Sequence, residues 1–386
     1  MKLKILSSVL VVLFQYSFSQ SIQLSQDATI SVLTFGPGQS LNDAFGHNAF
    51  RITDTTRGID LVYGYGEYDF EAPFFYLKFA QGKLNYLLSR HRFNDIYRYY
   101  SQNNRTIKEQ ILNLSTNDQQ KLFNYLENNY KPENRRYKYD FFYDNCATRI
   151  RDVAEGSISK DIIYNVSDTF VPKTFRTLIY EHVDKNSWGG LGIDLALGSI
   201  IDQEATAREH MFLPKYIHRS FANATLDSEK TLVKSESKLF QAKEIKDHRV
   251  FLFSPLVILS LLAFLILYTT YKDYKNRLRS QWLDVSIASF TGFIGIILTL
   301  LWFATDHTTT GYNYNLLWAF PFNFILLRQL KKSQPKPWVK GYFKFLLVML
   351  CLLTLHWLIG VQVFAITLIP LIVALAIRYI YFLRTL

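Results

Sequence analysis

The pattern of apolar and polar positions changes near residue 250. Upstream of this point, apolar residues form short periodic groups that polar turns separate. Downstream, apolar runs of roughly 17 to 25 residues follow one another, which is the length that crosses the hydrocarbon core of a bilayer. These runs span about 250–271, 283–305, 312–328, 342–359 and 362–383. The pattern predicts a globular domain followed by an all-α transmembrane domain of about five helices.

Three apolar stretches near the start of the globular part have the character of β-strands. Residues 28–35 (ATISVLTF) form a continuous β-branched and apolar run. Residues 45–52 (FGHNAFRI) can form a strand with His47 and Arg51 on one face, and residues 59–65 (IDLVYGY) fit its hairpin partner. These stretches predict a small antiparallel sheet.

Two helices are predicted by their start signals. Ser115 is a suitable N-cap for a helix that continues through Tyr130. The pair Asp144 and Asn145 is a suitable cap for a second helix that begins at Cys146. With the predicted sheet, these helices place the globular domain in the α+β class.

The first residues have the layout of a secretory signal peptide, with a basic start, an apolar run and a small-residue site. The globular domain is therefore expected to be exported. The predicted organisation is a signal peptide over 1–19, a periplasmic domain over 20–225, a linker over 226–249 and a transmembrane domain over 250–386.

The charge distribution predicts a membrane partner and an orientation. The net charge is +11, from 43 basic and 32 acidic residues, and export with long apolar runs favours an anionic membrane surface over nucleic acid as its partner. Lysine and arginine cluster after the first and third apolar runs, whereas residues 306–315 contain neither. The positive-inside rule then predicts a multi-pass protein of the inner (cytoplasmic) membrane, with 306–315 facing the periplasm.

Cys146 is the candidate nucleophile. It is one of two cysteines, and Cys351 lies in an apolar run, so no disulfide is expected. On the first turn of a helix, the macrodipole and the free N–H groups would lower the pKa of the thiol and could receive an oxyanion. The alternative is an inert buried thiol, since free cysteine is among the most buried residue types.

His47 is the candidate general base. Of eight histidines, only His47 lies in a tight context of small residues, between Gly46 and Ala49. Spacing alone does not show that it meets Cys146. The cysteines and histidines have no zinc-binding spacing, so neither metal nor cofactor is predicted.

Two further regions have a composition suited to lipids. Residues 73–100 interleave aromatic and basic side chains, as a surface that contacts headgroups and acyl chains would. The alternative is an aromatic core edge with a solvated basic face. His307 and Asn313 lie at the outer membrane boundary and could line a lipid path, the alternative being a water-exposed loop.

The motifs FGHNAFRI and YDNCATRIRD resemble the circularly permuted branch of the papain-like NlpC superfamily, which includes lecithin:retinol acyltransferase. Together with YGYGEYDF, FYLKFAQGKLNY and DHTTTGYNYNLLWAFP, they are similar to the Lnb family of Bacteroidetes. Members of that family join a periplasmic N-terminal domain to a transmembrane domain and act as lipoprotein N-acyltransferases. The resemblance implies a permuted papain-like domain.

The resemblance also implies a ping-pong reaction with two partners. Cys146 would take an acyl chain from a phospholipid donor as a thioester and pass it to the α-amine of a diacylated lipoprotein. His47 would serve as the base. For the third member of the site, Asp60, Tyr63 and Tyr65 are possible, and Tyr65 is preferred. The candidate substrate-binding residues are Arg51, Asn145, His307 and Asn313.

Two other functions remain open at this point. A cell-wall cysteine amidase or peptidase would use the same cysteine and histidine but pass the acyl group to water. A non-catalytic membrane scaffold would only bury Cys146. Thiol reactivity separates the scaffold from the enzymes, and the acylation state of lipoproteins separates the two enzymes.

Overall fold

The computed structural model of the chain describes residues 22–244 and 251–385. The predicted signal peptide, 1–19, and the end of the predicted linker, 245–249, lie outside the described residues.

The strands within the described residues are β1 Thr29–Phe35, β2 His47–Asp54, β3 Ile59–Tyr68, β4 Asn85–Arg92, β5 Ile107–Leu112, β6 Arg136–Lys138, β7 Ile162–Tyr164, β8 Lys173–Thr174, β9 Glu204–Ala205, β10 Ala224–Leu226, β11 Lys230–Thr231 and β12 Val233–Phe240. The α-helices within the same residues are α1 Phe75–Ala80, α2 Phe93–Gln102, α3 Thr116–Tyr130, α4 Cys146–Ser157, α5 Phe175–Tyr180, α6 Trp188–Ala196, α7 Ala207–His210, α8 Pro214–Asn223, α9 Pro255–Asn276, α10 Gln281–Phe303, α11 Leu327–Leu330, α12 Trp338–Leu358 and α13 Ile369–Thr385.

An antiparallel sheet organises the globular domain. In the part of the chain that the structure describes, it has seven strands in the order β12-β5-β1-β2-β3-β4-β6. The predicted hairpin is present, because β2 pairs with β3 from Ala49 opposite Gly64 to Asp54 opposite Ile59. The prediction of an α+β domain with an antiparallel sheet is confirmed, and the sheet is larger than the first three strands indicated.

The strand β12 corrects the predicted linker. Residues 233–240, which composition assigned to a linker over 226–249, pair with β5 at the edge of the sheet. Composition suggested a linker because edge strands often carry charged side chains, which discourage pairing with other molecules. Lys234, Glu236 and Lys238 are all exposed on this strand, so its polarity resembles that of a solvated connection.

Different helices pack against the two faces of the sheet. Phe50, Tyr63 and Tyr65 share one core with residues of α3 and α4. Ala49, one residue along from Phe50, lies in a second core with Tyr100 of α2. This division follows from the alternation of side chains along a strand, and it assigns His47 to the α2 face.

Both predicted helix starts are confirmed. α3 begins at Thr116, and the Ser115 hydroxyl accepts a hydrogen bond of 3.1 Å from the Asp118 N–H. α4 begins at Cys146, and Asn145 caps it. The cap residues fix where each helix begins because they satisfy N–H groups that have no partner inside the helix.

The C-terminal part contains, among the described residues, four helices long and apolar enough to cross a membrane: Pro255–Asn276, Gln281–Phe303, Trp338–Leu358 and Ile366–Thr385. The prediction of a continuous helix over 312–328 is wrong. This stretch forms two short 3₁₀ turns before α11. Pro321 accounts for the difference, because proline removes a backbone N–H and forces the preceding Phe320 into an extended conformation.

The irregular segment still connects the two ends of the helical bundle. At one end, Asn315 Nδ2 donates to the Asp194 carbonyl over 2.9 Å. At the other, the Leu330 carbonyl accepts from Arg279 Nη2 over 2.6 Å. Arg279 precedes α10 and Asn315 follows it, so the two contacts lie at opposite ends of a helix of 23 residues, which is about 34 Å long and exceeds the thickness of the hydrocarbon core. We infer that the segment makes a fifth crossing without a continuous helix.

Irregular backbone within the hydrocarbon core must be surrounded by protein. Here α10 packs against the irregular segment. A Cβ on Gly295 would lie 2.3 Å from the Ala319 carbonyl oxygen, so only glycine allows this approach. The Asn323 side chain donates to Thr291 over 2.8 Å and accepts from Tyr342 over 2.9 Å. The segment is therefore packed inside the bundle.

A buried ion-pair network fixes the far end of the bundle. Arg378 on α13 is 1% exposed and pairs with Asp284 on α10 and Asp273 on α9, each over 2.7 Å. Because each carboxylate has a cationic partner, the network links three helices without leaving a buried charge uncompensated.

The globular domain docks on the near end of the bundle, through the loop that follows α10. Asn313 Nδ2 donates to the Leu195 carbonyl over 2.7 Å, and the Gly198 N–H donates to the Thr309 carbonyl over 2.9 Å. At a second contact, the Asp306 N–H donates to the Gln81 carbonyl over 2.8 Å. This confirms that 306–315 lies on the same side of the membrane domain as the globular domain.

Candidate active site

Cys146 lies where two central strands part. The pairing of β2 with β3 ends at Ala49 opposite Gly64, and Gly66, at φ +100°, interrupts the register of β3 with β4. A Cβ on Gly66 would lie 3.7 Å from the Cys146 Cβ. The first residue of α4 therefore fills the gap between the ends of β2 and β3.

Backbone N–H groups surround the Cys146 sulfur. The N–H groups of Asn48, Cys146 and Ala147 act on the sulfur and favour its charged form. They come from the free end of a strand and the first turn of a helix, where N–H groups lack partners within their own element. Such donors also suit the oxyanion of a tetrahedral intermediate.

Asn145 holds this arrangement together. Its Oδ1 accepts from the Ala147 and Thr148 N–H groups over 2.8 and 2.9 Å. Its Nδ2 donates to the Phe141 and Phe212 carbonyls over 2.7 and 2.8 Å. Its side-chain polar atoms are all occupied and it is buried, so in this structure Asn145 holds the helix start and presents no polar atom to a substrate.

The thiol of Cys146 is neutral at rest. Burial raises its pKa to about 11, against the opposing effect of the N–H groups and the Arg105 charge. The sequence-based expectation of a lowered pKa is therefore wrong. Its physical basis, the N–H groups of the helix start, is present, but desolvation of the thiolate outweighs it.

His47 is the first residue of β2 and is half-buried. Its ring stacks on Phe35 with a centroid separation of 6.1 Å, and its Nε2 lies 3.2 Å from where a Cβ on Gly64 would stand. Burial, and then the charge of Arg105, lowers the pKa of His47 to about 4. The imidazole is therefore neutral at physiological pH, with one ring nitrogen unprotonated.

The fold brings His47 and Cys146 to the same point of the sheet. Asn48, one of the residues whose N–H acts on the Cys146 sulfur, directly follows His47 in the chain. Within residues 22–244 and 251–385, no hydrogen bond joins the two side chains. Catalytic hydrogen bonds are often long in enzymes without substrate, so this geometry is compatible with a nucleophile and its base.

The residues proposed to orient His47 are engaged elsewhere. The Tyr65 hydroxyl donates to Asn129 Oδ1 over 2.7 Å, and that of Tyr63 donates to Glu127. Both tyrosines lie on the opposite face of the sheet from His47 because side chains alternate along β3. Asp60 pairs with Arg51. The structure brings none of the three to His47.

Two of the other three predicted binding residues, Arg51 and Asn313, are engaged in contacts within the protein. Arg51 donates to Asp60 and Glu109 over 2.8 and 3.1 Å and lies over the Phe93 ring, so its charge is not open to a phosphate. Asn313 is buried in the contact between the domains. His307 is exposed, next to Gly82.

Arg105 is a residue of the site that the sequence did not reveal. Its Nε donates to the Gly36 carbonyl over 2.9 Å, and its Nη1 pairs with Asp43 over 2.8 Å. From this buried position its charge lowers the pKa of both His47 and Cys146. No motif or spacing marks it, because its role depends on a loop that follows α2.

A row of aromatic rings leads from the sulfur to the surface. Tyr139 lies beside Gly66 and Cys146, and its ring stacks on Tyr86 with a centroid separation of 4.2 Å. Tyr86 contacts Tyr68 at 5.0 Å, and Tyr68 contacts the rings of the loop before α1 and of α1 itself. The row joins the candidate nucleophile to the part of the domain that faces the membrane.

Within the described residues, no group of three or more histidine, cysteine, aspartate or glutamate side chains is arranged to hold a metal ion.

Comparison with known families gives two matches. The Lnb N-terminal periplasmic domain matches residues 15–180, and the Lnb transmembrane domain matches residues 246–386. The first match contains both His47 and Cys146, and the second contains the whole helical bundle. No curated protein and no solved structure matches the chain.

Proposed function

The chain belongs to the Lnb family, and from this premise we propose that it is a lipoprotein N-acyltransferase. It is a multi-pass membrane protein with a periplasmic domain, in a family of membrane proteins that process lipoproteins. In the proposed reaction, an acyl chain moves from a phospholipid to Cys146 and then to the α-amine of a diacylglyceryl-cysteine.

The observation that carries the proposal is the surroundings of Cys146. Backbone N–H groups act on the sulfur, and one of them belongs to Asn48, the residue that follows His47. The His47 imidazole is neutral, and the domain that carries both residues docks on the membrane bundle. Nucleophile, base and oxyanion donors are the parts that acyl transfer requires. Docking on the bundle keeps the thiol close to two substrates that are themselves anchored in lipid, which raises their effective concentration.

The first half-reaction begins from a neutral pair. His47 accepts the thiol proton as the sulfur attacks the ester carbonyl, so no free thiolate needs to accumulate. The N–H groups of Asn48 and Cys146 stabilise the oxyanion. Collapse of the intermediate breaks the ester C–O bond, and the leaving lysophospholipid oxygen takes the proton from His47. The product is a thioester on Cys146.

The second half-reaction reverses the roles. The α-amine of the diacylglyceryl-cysteine attacks the thioester carbonyl and transfers a proton to His47. The C–S bond breaks, the sulfur regains its proton, and the lipoprotein carries a new amide. Cys146 is only partly exposed, and limited access of water to the thioester favours transfer to an amine over hydrolysis.

The test is the mass of lipoprotein N-terminal lipopeptides from cells depleted of the protein and complemented with variants. Wild type and Cys351→Ser should restore the third acyl chain, because Cys351 is an exposed residue of α12 far from the site. Cys146→Ser and His47→Ala should not. Restoration by Cys146→Ser would contradict the thioester. Triacylation that persists without the protein or any second enzyme would redirect the assay to cell-wall peptides.

A further inference from the structure

A charged cleft lies beside α1 and has no role in the chemistry described so far. Its volume is about 290 Å³. The polar residues that line it are Asp69, Glu71, Lys78, Lys83, Asn85 and Arg136. They come from the loop after β3, from α1, from the turn between α1 and β4, and from the first residues of β4 and β6, so the fold builds the cleft from separate elements.

The charges of the cleft are only partly paired. Arg136 Nε contacts Asp69 Oδ2 over 3.1 Å, which satisfies one cation and one carboxylate. Within the described residues, Lys78, Lys83 and Glu71 form no ion pair. Lys78 and Lys83 lie on one turn, since the Lys83 N–H donates to the Lys78 carbonyl over 2.8 Å. The cleft thus presents two free ammonium groups and one free carboxylate.

An apolar surface borders the cleft. We use the name aromatic patch for exposed residues of α1 and the loop before it: Phe70, Phe74, Tyr76, Leu77 and Phe79. Phe74 and Tyr76 are 78% and 85% exposed. A contiguous group of large exposed apolar side chains marks a contact with another apolar surface.

The position of the aromatic patch identifies that surface. The residue that follows α1, Gln81, accepts the backbone hydrogen bond of Asp306, just beyond the membrane helix α10. A Cβ on Gly82 would lie 3.1 Å from His307 in the same loop. The patch is therefore continuous with the outer end of the bundle, at the level where a lipid bilayer meets water, and its occupant is lipid.

We propose that the cleft binds the zwitterionic headgroup of a phospholipid. The phosphate lies between Lys78 and Lys83, and the headgroup ammonium pairs with Glu71. The acyl chains lie against the aromatic patch, from which the row Tyr68, Tyr86 and Tyr139 leads to Cys146. The proposal rests on the proposed function, in which a phospholipid is the acyl donor.

The charge count selects the class of lipid. One phosphate and one ammonium complement two lysines and one glutamate, as phosphatidylethanolamine provides. Phosphatidylglycerol has the phosphate without the ammonium, so it would leave Glu71 facing a neutral headgroup. The cleft should therefore prefer phosphatidylethanolamine, with the lysines providing affinity through charge-assisted hydrogen bonds and Glu71 providing selectivity.

The experiment measures lipid binding to the full-length protein by native mass spectrometry, with dioleoyl phosphatidylethanolamine and dioleoyl phosphatidylglycerol as probes. Every variant also carries Cys146→Ser, so that no turnover occurs. The double variant Lys78→Gln/Lys83→Gln should bind phosphatidylethanolamine about tenfold more weakly, the loss expected for two charge-assisted contacts on a partly solvated surface. The matched control, Lys234→Gln/Lys238→Gln, removes two exposed lysines from β12 and should bind like the parent.

Glu71→Gln tests the selectivity separately. It should bind both lipids and lose most of the preference for phosphatidylethanolamine. The proposal is overturned if Lys78→Gln/Lys83→Gln binds like the control, if Glu71→Gln keeps the parental preference, or if millimolar inorganic phosphate displaces the lipid fully, which would indicate a phosphate site. Because binding is measured on protein without the nucleophile, these outcomes are independent of the lipopeptide test of the acyltransferase.

Discussion

At the scale of single residues, two opposing effects meet at the Cys146 sulfur. The N–H groups at the start of α4 and at Asn48 stabilise a thiolate, while burial destabilises it, and burial is the larger effect. Cys146 and His47 therefore do not form an ion pair of thiolate and imidazolium. Both partners are neutral at rest, because burial also lowers the pKa of His47, and the charges develop only as the substrate is attacked.

The alkylation rate of Cys146 as a function of pH should show this directly. Only the thiolate reacts, and with a pKa of about 11 the thiolate fraction at pH 7 is about 1 in 10,000. The rate of reaction with iodoacetamide should therefore rise about tenfold per pH unit from pH 6 to pH 10. Cys351→Ser protein removes the second thiol from the measurement.

Denatured protein is the control for that experiment. Its thiol should titrate near the ordinary cysteine pKa of about 8.5, so its rate should level off above pH 9. A folded protein whose rate levels off near pH 7 would show that the thiol is already ionised at rest. In that case the helix start, and not burial, would dominate the pKa.

Local signals explain which site residues the sequence reveals. Asn145 is predictable as a cap, because a cap depends only on its neighbours in the chain. Tyr65 is different. To judge whether it orients His47, one must know on which face of β3 it lies and that its hydroxyl donates to Asn129. Arg105 is not predictable at all from spacing, since its contacts with Gly36 and Asp43 join distant loops.

At the scale of elements, the parted ends of β2 and β3 create the site. Gly64 lies on the His47 face of β3, and its missing side chain leaves room for the imidazole. A Cβ there would stand 3.2 Å from Nε2 and 3.5 Å from the Ser89 hydroxyl oxygen. His47 would have to shift by a few tenths of an ångström to accommodate it.

Gly64→Ala should therefore reduce acyl transfer more than it reduces stability. We expect turnover to fall about tenfold, since displacements well under 1 Å in catalytic groups are costly, and the midpoint of thermal unfolding to change little. Gly156→Ala, at the end of α4 where a Cβ meets nothing within 4 Å, should leave turnover unchanged. Equal turnover in the two variants would show that His47 does not need its present position.

Helices and strands were predictable where the capping residues and the apolar spacing of a segment indicate the same structure. The caps and apolar spacing of α3 and α4 describe those helices fully. The run 312–328 is apolar enough for a span, but Pro321 prevents a continuous helix, and hydropathy alone does not register the break. The strand β12 has the opposite character, since its charges conceal a pairing with β5 that only the folded sheet supplies.

At the scale of the whole molecule, function depends on how the periplasmic domain sits on the bundle. The segment after α6 meets the loop after α10 through backbone groups, with the Gly198 N–H donating to Thr309 and the Ser199 N–H donating to Tyr312. Behind this contact, Arg176 pairs with Asp194 and Asp202 over 2.8 and 2.7 Å and is 1% exposed. The buried charges stiffen the segment that carries the docking contacts.

Gly198→Ala should loosen this docking without touching the site. A Cβ on Gly198 would stand 1.8 Å from the Gly311 carbonyl oxygen, so the two backbones must separate. We expect a loss of about 3 kcal/mol from overpacking and lost hydrogen bonds, seen as a lower thermal midpoint of the full-length protein in detergent. Gly192→Ala is the matched control, because a Cβ there meets nothing within 4 Å and alanine favours the helix α6.

The two variants also test whether docking serves catalysis. If the contact holds Cys146 at the membrane surface, Gly198→Ala should lower N-acylation of lipoproteins in cells while iodoacetamide still labels Cys146 at the wild-type rate. That combination would show an intact thiol that no longer meets its lipid-anchored substrates. Unchanged N-acylation in a destabilised Gly198→Ala protein would mean instead that the aromatic patch and the contact of Asp306 with Gln81 suffice to hold the domain at the bilayer, and that the contact at Gly198 contributes only to stability.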